Sequence, residues 1–197
     1  MIVPGGIYHV TTRGNNRRPV FTKDEDFEAW LRELARVVLG RCWLVFAYCI
    51  MTTHFHLVLQ APEGDLSAGI RELNWRYARL WNLRHRSEDH VWGKRFSSTY
   101  IEDESHLPAA IRYVDLNPVE AGICDDPADY RWSSHAACMG LVLPPRFLAL
   151  GATLELFGSS PARARRVYAD YVSLEHVPVP GERTGLERML AQGDKVG

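Results

Sequence analysis

The sequence predicts an α+β domain: a ferredoxin-like antiparallel sheet with helices on one face, followed by a mainly helical C-terminal extension. Three observations carry this. Apolar residues switch between a period of two and a helical period along the first 117 residues. Two apolar runs are joined by a three-residue break, as in a hairpin. The resulting order is strand, helix, hairpin, helix, strand, helix.

The elements follow in order. Ile7–Thr12 alternates and is rich in β-branched residues, which predicts a strand. The polar, glycine-containing RGNNRRP predicts a loop. Asp24 is a helix cap by residue type, and Phe27, Trp30, Leu31, Leu34, Val37 and Val38 recur at helical spacing up to about Leu39, with Gly40 closing the helix. Trp43–Ile50 is a continuous apolar run, Met51-Thr52-Thr53 a turn, and His54–Gln60 a second strand. Pro62-Glu63-Gly64 breaks the chain before a long helix over Leu66–His85, and a strand follows near Ser97–Ile101. Glu104–Leu116 reads as a helix ended by Asn117-Pro118, because a residue before proline resists the α region. Residues 119–145 predict irregular wrapping. From Phe147 the chain turns helical, with Arg163, Arg165 and Arg166 ahead of Tyr168 and Tyr171. Pro178–Gly185 reads as a linker, and the last dozen residues as a short helix or a disordered tail. The expected division is 1–140 for the main domain and 141–197 for the extension.

With 197 residues and 46% hydrophobic composition, the chain can bury a full core. No run approaches the roughly 18 apolar residues of a membrane span, and MIVPGGIYHV lacks the basic and apolar regions of a secretion signal. A cytosolic protein is expected. Cys42, Cys49, Cys124 and Cys138 have no CxxC spacing, so reduced cysteines are expected, with Cys42 and Cys49 in a buried strand region. Net charge is −1, but it is polarised. The first 18 residues carry Arg13, Arg17 and Arg18 and no acid. Residues 71–95 hold seven basic side chains against three acidic ones, while the compensating acids crowd into 102–129. A basic face of this kind suits phosphates better than the total suggests.

Two features carry chemistry. On a strand, His54 and His56 share one face while Phe55 points into a core, so two imidazoles can converge on one cation. Alone, an HxH triplet is equally two histidines on the solvent side of a sheet. Tyr113 and Asn117 are four apart and share a helix face. The Asn117 amide oxygen suits a hard cation such as Mg²⁺ or Mn²⁺. Two imidazoles and one amide oxygen leave positions open for phosphate oxygens and water, and Tyr113 is then a nucleophile for a phosphodiester. The bland alternative is a half-buried helix aromatic and a helix-stopping Asn-Pro pair. Asp115 and His106 read as structural.

Several segments together resemble the single-tyrosine HUH transposases, in particular the REP-associated tyrosine transposases. They are YHVTTRGNNRRPVF at 8–21, AYCIMTTHFHLVLQAPEGDLS at 47–67, LNWRYARLWN at 73–82, VWGKRFSSTYIED at 91–103, RYVDLNPVEAG at 112–122 and DYRWSSHAA at 129–137. The resemblance covers roughly residues 7–140. It implies that His54 and His56 are metal ligands, that Asn117 is the third ligand where many relatives have glutamine, and that Tyr113 is the nucleophile. It implies single-stranded DNA cut near palindromic hairpins through a 5′-phosphotyrosine, with Mg²⁺ or Mn²⁺, by a monomer or a homodimer.

Single-stranded DNA calls for cations and flat side chains. Arg13, Asn15, Asn16, Arg17 and Arg18 in the first loop, Arg76 and Arg79 on the long helix, and Lys94 and Arg95 before the last strand are the expected DNA-binding residues. Trp75 and Trp81 read first as core. Two rival functions are a hairpin-binding protein without cleavage and a metal-dependent phosphodiesterase that activates water.

Overall fold

The computed structural model describes residues 2–174. The expectations for the linker at 178–185 and for the last dozen residues lie outside them. The elements are β1 (Gly6–Arg13), α1 (Asp24–Gly40), β2 (Leu44–Met51), β3 (His54–Ala61), α2 (Leu66–His85), β4 (Ser97–Tyr100), α3 (Leu107–Glu120), α4 (His135–Met139), α5 (Leu150–Glu155) and α6 (Pro161–Ser173). The sheet runs β2-β3-β1-β4 with every pairing antiparallel, the ferredoxin-like order expected.

Pleating sorts the sheet into two faces. Tyr8, Val10, Thr12, Phe55, Leu57 and Leu59 line one face. There Phe55 meets Trp30 of α1 and Trp92, and Trp92 meets Tyr77 of α2. α1 and α2 therefore form the helical layer anticipated on one face. The opposite face carries His9, Thr11, Arg13, His54 and His56. It is covered by α3, whose Tyr113 ring lies against His9 and His56.

Asp24 is the first residue of α1 and does not cap it. The carboxylate of Asp26 takes that role, accepting from the backbone of Thr22 (3.1 Å) and Lys23 (3.3 Å). Asp26 also receives Arg84 (2.7 Å) and His85 (3.0 Å) from the end of α2, bolting the two helices together. Burial pushes its carboxyl up, but His85, the Thr22 backbone and Arg84 outweigh it and hold the group below its ordinary value.

α3 does not stop at Asn117-Pro118. It begins as a 3-10 turn over Glu104–His106, becomes α-helical at Leu107 and continues through Pro118 to Glu120. Pro118 loses the bond to the Val114 carbonyl and crowds that oxygen, and burial of Val114, Asn117 and Pro118 offsets the cost. The segment expected to be irregular contains α4. Residues 132–134 and 148–149 seal the edge of β2, through Ile50 N–H to Trp132 O (2.9 Å), Ser134 N–H to Tyr48 O (2.9 Å) and Ala149 N–H to Val45 O (2.8 Å). α6 then packs on α3. Its buried Tyr168 donates to Asp115 (2.5 Å), and His135 of α4 lies 2.9 Å from the same hydroxyl. All four cysteines are free. Cys42, however, is exposed, in a left-handed turn ahead of β2 and outside the strand. Among the described residues no helix is long and apolar enough to cross a membrane.

Candidate active site

The turn Thr52-Thr53 joins β2 to β3 and delivers His54 and His56 onto the α3-covered face. Their rings stand nearly perpendicular with centroids 4.9 Å apart. Each is anchored through Nδ1. His54 Nδ1 is 2.9 Å from Thr53 Oγ1, and His56 Nδ1 is 2.9 Å from His9 Nε2 and 3.1 Å from Thr11 Oγ1. His56 is fully buried, and its Nε2 has no hydrogen-bond partner. Burial first, then His9, His54 and Arg13, hold its pKa well below the usual histidine range, so the ring is neutral at neutral pH.

Tyr113, half-buried, comes from α3. Its ring centroid lies 5.7 Å from that of His56 and 5.5 Å from that of His9, edge-on to both. One turn on, Asn117 is buried and its Nδ2 donates to the Tyr113 carbonyl (2.8 Å). That bond fixes the amide and assigns its donor to the backbone. The predicted quartet His54, His56, Tyr113 and Asn117 thus draws on one strand and the one helix that covers it. Asp115 points away, toward Tyr168 and His135.

These residues fit a divalent metal on two grounds. The buried Nε2 of His56, without a hydrogen-bond partner, is an orphaned polar atom of the kind a cation satisfies. The neighbouring imidazole is oriented through its other nitrogen, as ligating histidines are. Among the described residues no group of three or more His, Cys, Asp or Glu could hold a metal ion.

The loop after β1 is tied to this site by its backbone. Gly14 N–H donates to Thr53 O (2.8 Å), Val20 N–H to Thr52 O (2.9 Å), Asn15 N–H to Val91 O (2.9 Å) and Gly93 N–H to Arg13 O (3.0 Å). Arg13 lies directly across from His54 in the β1–β3 register, on the same face. Asn16 and Arg17 both have positive φ and are exposed, as are Lys94 and Arg95 beyond Gly93. Arg18 instead reaches Asp89 (3.1 Å) and the His90 carbonyl. Arg76 and Arg79 lie apart from this group, on α2 across the sheet. Arg76 pairs with Glu72 (2.9 Å), and Arg79 covers Trp75 at 4.9 Å. Trp75 is 56% exposed, contrary to the core role expected for it. Trp81 stacks on His85 (4.3 Å).

His9 and Thr11 are the residues that the sequence did not single out. Their signal is the alternation Ile7, His9, Thr11, Arg13, which puts them on one face of β1. That this face meets His56 depends on a pairing between residues 47 positions apart.

The model of the family described as "Transposase IS200 like" matches residues 3–117. A protein of Haemophilus influenzae named as a REP-associated tyrosine transposase is 26% identical over 145 residues, covering 66% of this chain and 80% of its own. The REP-associated tyrosine transposase of Escherichia coli K12 is 22% identical over 134 residues, covering 67% and 78%. Among solved structures, a REP-associated tyrosine transposase bound to a REP hairpin superposes with a TM-score of 0.63 at 21% identity, over 74% of this chain and 86% of that one. The matched stretch contains the whole sheet, both paired histidines, Tyr113 and Asn117, and by it this chain belongs to the IS200-like transposase family.

Proposed function

We propose that the protein nicks and rejoins single-stranded DNA near a palindromic hairpin, with Tyr113 as nucleophile and His54, His56 and Asn117 holding Mg²⁺ or Mn²⁺. One observation carries the reading: the Tyr113 ring packs against His56, whose buried Nε2 has no protein partner. When bound, the cation would supply Lewis-acid stabilisation of charge on the scissile phosphate. Tyr113 Oη attacks phosphorus, the bond to the 3′ oxygen breaks, and the phenolic proton ends on the departing 3′-hydroxyl. The 5′-phosphotyrosine keeps the energy of the broken diester, so a free 3′-hydroxyl reverses the step and joins strands. The edge-on packing holds the phenol in place, which favours a fixed attack geometry over a diffusing water.

Arg13, across from His54 in the sheet, and Asn15, Asn16, Arg17, Lys94 and Arg95, on the two segments joined through Asn15–Val91 and Gly93–Arg13, suit the backbone of the strand being cut. Arg76 and Arg79, with exposed Trp75, are separated from the scissile position by the sheet; a role for them is in holding DNA remote from the cut. The hairpin in the neighbour's structure supports a hairpin substrate for this chain.

The deciding experiment is a labelled single-stranded oligonucleotide carrying a palindromic hairpin, incubated with protein and Mn²⁺. A covalent protein–DNA adduct that disappears in Tyr113→Phe is expected. Cleavage that survives Tyr113→Phe points to activated water, and binding without cleavage points to a hairpin-binding protein.

A further inference from the structure

The HxH pattern contributes two histidines, but the site contains three. His9, on β1, is buried and places Nε2 2.9 Å from Nδ1 of His56. The two rings are nearly parallel, at 10°, with centroids 5.1 Å apart. Thr11 Oγ1 lies 3.1 Å from the same Nδ1. His9 also meets the Tyr113 ring edge-on, at 87°. One β1 side chain therefore touches both His56 and the tyrosine.

A neutral imidazole has one N–H and one lone pair. With the proton on Nε2, His56 would bury a donor for which the protein offers no acceptor. With the proton on Nδ1, the donor finds His9 Nε2 or the Thr11 hydroxyl, and the lone pair faces the unpartnered side. Only the second arrangement gives a ring that a cation can use without moving a proton or turning a side chain. We infer that His9, assisted by Thr11, is a positioning residue that holds His56 in the Nδ1–H tautomer, presents its Nε2 lone pair to the metal, and fixes the ring plane against which Tyr113 packs.

This rests on the metal site proposed above, and its test separates the two. Uniformly ¹⁵N-labelled protein without metal, read by long-range ¹H–¹⁵N correlation, should show His56 protonated at Nδ1 and bare at Nε2. The opposite tautomer overturns the inference, whatever the metal does. In a second arm, Mn²⁺ affinity is read from the electron paramagnetic resonance of the free ion. His9→Phe should weaken binding by about 10- to 100-fold, the scale at which groups behind a metal ligand act. His9→Gln, whose Oε1 can accept in place of Nε2, should recover affinity to within about threefold of the unmodified protein. A merely structural His9 predicts no such recovery, and unchanged binding in His9→Phe overturns the inference. His56→Ala supplies the control for the metal reading: it should abolish Mn²⁺ binding. Undiminished binding there sinks the metal reading, while the tautomer measurement on the unmodified protein still decides the role of His9.

Discussion

A buried imidazole with one nitrogen bonded and the other unpartnered costs free energy, on the order of 1–3 kcal/mol for an unsatisfied polar atom. His56 is held in that condition. The proposed metal accounts for the cost, and it gives a prediction at the residue scale. Mn²⁺ should raise the melting temperature of the unmodified protein but not of His56→Ala, as thermal unfolding with and without the ion will show. His56→Ala alone should lose packing while shedding the orphaned nitrogen, so its metal-free stability should fall less than a buried truncation of that size ordinarily implies. Asp26 supplies a second case. Its carboxyl is held below the ordinary value, so the stability it contributes is present above the unfolded carboxylate pKa of about 3.9 and is lost as pH falls through the lower folded value. Asp26→Asn should cost about 1.5–3 kcal/mol at neutral pH and flatten that acid limb, measured by urea unfolding between pH 7 and pH 2.

At the scale of elements, Gly14 joins β1 to the turn that carries His54. Its φ is −58°, open to any residue; what requires glycine is space. A Cβ there would sit 2.5 Å from the Arg18 carbonyl oxygen and 2.7 Å from Val20. Gly14→Ala must therefore move backbone, and should cost about 1–3 kcal/mol and weaken Mn²⁺ binding together with stability, seen by parallel denaturation and metal titration. The elements also show what residue patterns reveal. α2 keeps the bounds its periodicity implies, since Leu66, Ile70, Leu73 and Tyr77 form one buried stripe. The β2–β3 hairpin follows from two apolar runs separated by too few residues for anything else. The end of α3 was hidden because Pro118 marks a local penalty, while the burial that outweighs it is tertiary. The cap of α1 is hidden for a related reason: Asp24 and Asp26 are the same residue type, yet Asp26 turns back to the Thr22 and Lys23 backbone and is buried under Arg84 and His85 of α2, while Asp24 meets Arg131 at the surface. His9 was invisible as a site residue because cross-strand register is not written in any local pattern.

For the whole molecule, Arg13 and the loop that follows it lie on the face of the sheet opposite the helical layer that carries Arg76 and Arg79. Single-strand binding through Arg13, Arg17, Lys94 and Arg95 should lose affinity with a log–log salt slope of about −3 if all four meet phosphates, and each alanine substitution should make the slope shallower by about 0.7, measured by fluorescence anisotropy. The C-terminal part bears on the same site from behind. Tyr168→Phe removes the donor to buried Asp115 on the helix that carries Tyr113. It should cost about 1–3 kcal/mol by denaturation without removing the Tyr113 hydroxyl.

The site draws on β1, β3 and α3, whose residues are spread from His9 to Asn117, and this dispersal governs when it can come into being. As the chain leaves the ribosome, the paired histidines emerge well before the tyrosine. A nascent chain that has passed residue 56 but not reached residue 113 holds every imidazole of the site and lacks Tyr113. The face of the sheet that carries His56 is covered by α3, and the partners of Asp115 on that helix, His135 and Tyr168, come later in the chain. Assembly of the site thus needs α3 as well as the sheet, and a fragment released before residue 113 lacks Tyr113 altogether.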